Sequence, residues 1–72
     1  MSTLVTPAEM AVLRLLAQGL SAREVSKCLG CSVRTVNFHT YNLLTKFKVP
    51  NRMRLCLEAW KLGLIPLPEG PR

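Results

Sequence analysis

Apolar side chains return every three or four residues in four separate runs along this chain, the period of helices that bury one face. In the first run Val12, Leu13, Leu16 and Leu20 form the stripe, and Thr6-Pro7-Ala8-Glu9 begins it. Thr6 caps, Pro7 takes a first-turn position whose N–H is not needed, and Glu9 completes a capping box. Gly19 ends the run, which places helix one at about 7–18. Ser21 then stands three residues before Glu24 in a second capping box, and Val25, Cys28 and Leu29 share a face, so a helix is expected over about 22–29. Gly30 supplies a left-handed corner and Ser32 caps again at once. Helices joined by so short a glycine-containing turn cannot lie antiparallel, and they cross steeply as a helix-turn-helix.

The third helix is expected over about 33–47, and its two sides differ in kind. Val36, Thr40, Leu43 and Phe47 make the inner stripe, while Arg34, Asn37, Phe38, Tyr41 and Thr45 recur on the other side. A cation, an amide, a phenol and a bare aromatic ring suit a surface that touches base edges better than a solvated one. Asn51 caps a fourth helix over about 52–62, with Gly63 as its stop and Pro66 preventing continuation. That helix carries more apolar surface than one stripe requires. Met53, Leu55, Cys56, Leu57 and Trp60 are therefore expected to face a second copy of the chain. Arg52 and Arg54 stand in its first turn, where the positive end of the macrodipole disfavours cations and a phosphate held between them would reverse the sign. Residues 1–5 read as a lead-in, 6–65 as one domain and 66–72 as a loose tail, with Leu64, Ile65 and Leu67 folding back under the domain.

Composition narrows the function. A chain of 72 residues is one small domain, and such a domain hides only about 60% of its unfolded surface. Ten Lys and Arg against four Glu leave a net charge of +6, which favours a polyanionic partner. An enzyme is not expected, because there is one histidine, the acidic residues Glu9, Glu24, Glu58 and Glu69 are widely spaced, and there is no glycine-rich phosphate loop. No segment approaches the ~20 apolar residues that cross a bilayer, so no membrane partner is expected. Three cysteines without a signal peptide point to a reduced, cytoplasmic setting with no disulfide framework. By counting alone, Cys28, Cys31, Cys56 and His39 would make a four-ligand zinc set. All three cysteines lie at apolar positions, where free cysteine behaves as a small hydrophobe, so no metal or other cofactor is expected.

The residues as a set resemble the LuxR/GerE-type helix-turn-helix domain of bacterial transcription regulators, from about Val5 to Ile65. The resemblance rests on Thr6, Glu9, Val12-Leu13, Leu16-Ala17, Gly19, Ser21, Glu24, Leu29, Ser32, Thr35-Val36, His39, Lys46, Val49, Arg52 and Gly63-Leu64-Ile65. It implies an all-α, four-helix domain with helix three in the DNA major groove and helix four as the dimerisation element. Carried over by position, Asn37, Phe38 and Tyr41 are expected to contact bases, and Arg34 beside them is expected to do the same. Ser21, Arg23, Thr35, Lys46, Asn51 and Arg52 are expected to contact phosphates, with His39 bracing the helix. Ala8 and Ala11 replace a usual Arg and Glu, Asn37 replaces a frequent Lys, and Phe38 and Tyr41 replace smaller or basic residues. The reading face is thus less cationic than is usual, and an A·T-containing half-site is expected. The implied function is a stand-alone, dimeric regulator that binds double-stranded DNA. The alternative is an interaction module that uses the same fold to restrain a larger transcription regulator or to meet RNA polymerase.

Overall fold

The computed structural model describes residues 4–66, which form four helices and, among those residues, no strand. These are α1 (Pro7–Ala17), α2 (Ala22–Leu29), α3 (Val33–Phe47) and α4 (Arg52–Lys61). Each begins where a polar side chain takes up a free backbone N–H. The Thr6 hydroxyl accepts from Glu9 N–H at 3.1 Å while Thr6 N–H donates to the Glu9 carboxylate at 3.1 Å. Ser21 and Glu24 repeat the exchange at 3.2 and 2.8 Å. Ser32 accepts from Thr35 N–H at 3.1 Å, and the Asn51 side-chain oxygen accepts from Arg54 N–H at 3.0 Å. Caps of this kind are typically worth about 1 kcal/mol each. Gly30 closes α2 in the left-handed region at φ 68°, as its position in the sequence requires. At the end of α3 the same conformation is adopted by Lys48, at φ 57°, which no glycine announces.

Helix α3 is the element the others pack around, meeting α1, α2 and α4. Val12 and Leu13 of α1, Val25 of α2, Val36 and Leu43 of α3, and Leu55 and Ala59 of α4 are completely buried. Each aliphatic side chain larger than alanine so enclosed contributes about 1.5–3 kcal/mol. Ile65 is buried and Leu64 half-buried, so the segment after α4 does return to the core, whereas Leu67 lies outside the described residues. Thr40, within the inner stripe of α3, satisfies its hydroxyl by donating to the Val36 carbonyl at 2.8 Å.

Two expectations are corrected. The inner face of α2 runs through Ala22, Val25 and Ser26, and Cys28 and Leu29 stand exposed. Ser26 tolerates burial because its hydroxyl donates to the Arg23 carbonyl at 2.7 Å. On α4, Leu55 and Cys56 belong to the core of the single chain and cannot supply a surface between two copies. A ten-residue helix has one inward stripe, and here Leu55, Cys56 and Ala59 occupy it.

Candidate nucleic-acid interface

The fifteen residues of α3 make about four turns, so the side opposite Val36 and Leu43 is set by the same periodicity that buries them. Arg34, Asn37, Phe38 and Tyr41 fall on that outer side and all four are exposed. Phe38 presents 61% and Tyr41 67% of its surface. The phenyl ring of Phe38 has one aromatic neighbour, the imidazole of His39, with centroids 5.7 Å apart and planes tilted by 60°. His39 itself is half-buried, and its Nδ1 is buried without a hydrogen-bond partner among the described residues. Farther along, the Thr45 hydroxyl donates to the Tyr41 carbonyl at 3.0 Å and so faces along the helix.

The chemistry of the flank is mixed. Asn37 can donate and accept at once, the pairing that matches an adenine edge. Arg34 makes no ion pair with another described residue, and neither do Arg23 and Arg54. At the helix starts, the capping side chains differ in the donors they keep. Ser21 accepts from Glu24 N–H through its hydroxyl oxygen, and its proton lies close to the Glu24 carboxylate. Thr35 is half-buried and shares a hydrogen bond of 3.0 Å with the Ser32 hydroxyl. Asn51 accepts from Arg54 N–H through its oxygen and retains its NH2.

Two cations from the phosphate set turn out to have work inside the domain. The Lys46 ammonium donates to the Glu9 carboxylate and also to the Leu4 carbonyl, the latter at 2.8 Å. Its side chain is 28% exposed and that of Glu9 4% exposed. This clasp ties the residues before α1 to the last turn of α3, and it removes Lys46 from the freely available cations. The Arg52 guanidinium donates to the Leu20 carbonyl at 2.8 Å, linking the start of α4 to the connection between α1 and α2. Arg52 therefore has a local reason to stand in that first turn, contrary to expectation, although most of its donors remain free. Neither link is visible in the sequence, since the partners lie 37 and 32 residues apart.

Burial alone would raise the Glu9 carboxyl, but the Lys46 ammonium and the Thr6 N–H outweigh it and hold the group below its ordinary 4.5. The Glu24 carboxyl is lowered as well, first by the Ser21 N–H and then by the Ser21 hydroxyl. Burial pushes the Cys56 thiol above its ordinary 9.0, against the pull of Arg52. Cys28 is exposed, Cys31 half-buried and Cys56 buried. Among the described residues no three of His, Cys, Asp or Glu converge as a metal site would need. No described helix is long and apolar enough to cross a membrane.

Three comparisons place this geometry among known proteins. Residues 3–59 match the family model described as bacterial regulatory proteins, luxR family. The transcriptional activator protein AnoR of Acinetobacter nosocomialis is 37% identical over 60 residues, which are 83% of this chain and 25% of AnoR. The putative HTH-type transcriptional regulator Rv0890c of Mycobacterium tuberculosis is 40% identical over 58 residues, 81% of this chain and 7% of that protein. The chain thus spans about a quarter or less of these two relatives. The solved structure of the transcription factor GerE is similar with a TM-score of 0.82 at 32% identity, covering 88% of this chain and 94% of the GerE chain.

Proposed function

From the premise that this chain belongs to the luxR family of bacterial regulatory proteins, we propose that it regulates transcription by laying the outer flank of α3 in the major groove of double-stranded DNA. The family and fold are those of transcription regulators and not of enzymes. One observation carries the proposal: Arg34, Asn37, Phe38 and Tyr41 share an exposed side of the helix whose other side is the core. The major groove is about 12 Å wide and admits one helix, so a rod held firmly along one side and chemically varied along the other is suited to it.

Phosphate contacts then fix the register. Arg23 and Arg52, the Ser21 and Thr35 hydroxyls and the Asn51 amide are the groups proposed to donate to phosphate oxygens, on a protein whose net charge is +6. Lys46 is proposed instead as a positioning residue, because its ammonium already serves Glu9 and Leu4.

The regulator is proposed to act as a homodimer and to need no further domain for binding. Met53, Leu57 and Trp60 recur at i, i+4 and i+7, which puts them on one side of α4, and Met53 and Trp60 are exposed. Two copies meeting there would read half-sites about one helical turn, ~10 bp, apart. Support for sufficiency comes from GerE, a transcription factor whose chain is covered to 94%.

The test is a fluorescence titration of the full chain against mixed-sequence duplex at two salt concentrations. Binding should weaken along a log–log slope of about −0.9 per phosphate neutralised. Absence of binding at low salt would refute the proposal.

A further inference from the structure

The outer flank of α3 lacks some of the usual means of reading a base pair. None of Arg34, Asn37, Phe38, Tyr41 and Thr45 is acidic, so no carboxylate is available to accept from the cytosine amino group. The one cation, Arg34, stands near the start of the helix, so the bidentate arginine–guanine contact is confined to that end. Midway along stand Asn37, whose amide matches adenine, and Phe38, whose ring makes no conventional hydrogen bond. The apolar feature on the floor of the major groove is the C5-methyl of thymine.

Phe38 also has no shelter of its own. It is 61% exposed, and the half-buried His39 ring lies beside it at 5.7 Å. Resting on the DNA-binding reading above, we propose that Phe38 reads the C5-methyl of a thymine in each half-site and that Asn37 reads an adenine in the same half-site. The positive charge of the domain brings the duplex, and the methyl contact selects among duplexes.

The probe is a duplex selected from a random pool by the full chain, remade with uracil in place of each thymine in turn. Uracil removes the methyl and leaves every hydrogen-bonding group in place. Anisotropy titrations at one salt concentration should show wild-type binding weakened about fourfold at one thymine per half-site, the ratio corresponding to ~0.8 kcal/mol for a buried methyl-sized group. Phe38→Ala should bind more weakly and be indifferent to uracil at that position, with its helical content unchanged in circular dichroism. A selected site bound equally well with uracil at every position overturns the methyl contact and leaves DNA binding standing. Uracil sensitivity that persists undiminished in Phe38→Ala overturns the assignment to this residue. Failure to bind any duplex at low salt removes both proposals together.

Discussion

Helices α3 and α4 both hold aromatic side chains in solvent, in settings that differ chemically. On α3 the exposed rings of Phe38 and Tyr41 are interleaved with Arg34 and Asn37 on the side away from the core. On α4 the exposed Met53 and Trp60 are joined by the half-buried Leu57, giving an apolar strip without an amide among them. The first pattern offers both donors and acceptors to hydrogen-bonding edges, while the second offers apolar surface and one indole N–H. Exposed hydrophobicity by itself therefore does not say what a surface meets. The groups beside it do.

The cations divide along similar lines. Lys46 at the end of α3 and Arg52 at the start of α4 reach back to hold the domain together, whereas Arg34 makes no ion pair among the described residues. Counting positive residues overstates the charge available to a partner, because the Lys46 charge is largely offset by Glu9.

The sharpest way to break the contrast between the two helices is within α4 itself. Leu55→Ala should cost about 2–5 kcal/mol in urea unfolding, because the residue is completely buried. Met53→Ala, two residues earlier and 69% exposed, should change protomer stability by no more than about 0.5 kcal/mol. In sedimentation, Met53 and Trp60 replaced together by polar residues should shift the proposed dimer to monomer. A loss of folding instead would place that strip in the core.

On α3 the expected effects are smaller and fall on binding. Asn37→Ala should cost about 1–3 kcal/mol at a selected duplex and little at random duplex, whereas Arg52→Ala should weaken both alike. Equal losses on both sequences for Asn37→Ala would take it off the reading face.

The internal cations act on stability. Lys46→Met leaves the Glu9 carboxylate in place without its ammonium and should cost about 1–2 kcal/mol, less than a fully enclosed pair would because Lys46 is partly solvated. Since the Glu9 carboxyl is held below 4.5 in the folded state, its contribution is fully present above that pH and is lost as pH falls through the lower folded value. Glu9→Gln should flatten this acid limb in urea midpoints recorded against pH. An unchanged limb would show that other carboxylates set it.

The smallest effect is on rate. Iodoacetamide should alkylate the exposed Cys28 first and the buried Cys56 last, the latter slowed by burial that raises its thiol above 9.0.

How much of this was legible in the sequence depended on the range of each interaction. Capping boxes span three residues, so Thr6 with Glu9 and Ser21 with Glu24 could be read directly, and both are present. The two sides of α3 could be read because a fifteen-residue helix samples the period several times. In α4 and α2 the windows are ten and eight residues, with apolar groups at several angles, too short for the period to single out the inner stripe. Leu55 and Cys56 turned inward, while Cys28 and Leu29 turned outward. The links from Lys46 to Glu9 and from Arg52 to Leu20 join distant residues, and no local rule could pair them. Lys48 adopts a glycine-like conformation without being glycine, and Pro50 two residues on marks the helix end but not that conformation.

On the proposed reading the outer flank of α3, and not another face, enters the groove. The most direct measurement is a titration of the isotopically labelled chain with duplex, followed residue by residue through amide and side-chain NMR shifts. The largest changes should fall on Arg34, Asn37, Phe38 and Tyr41, with smaller ones at the starts of α2 and α4. Changes concentrated on Met53, Leu57 and Trp60, with α3 undisturbed, would put the DNA-facing surface on α4 instead.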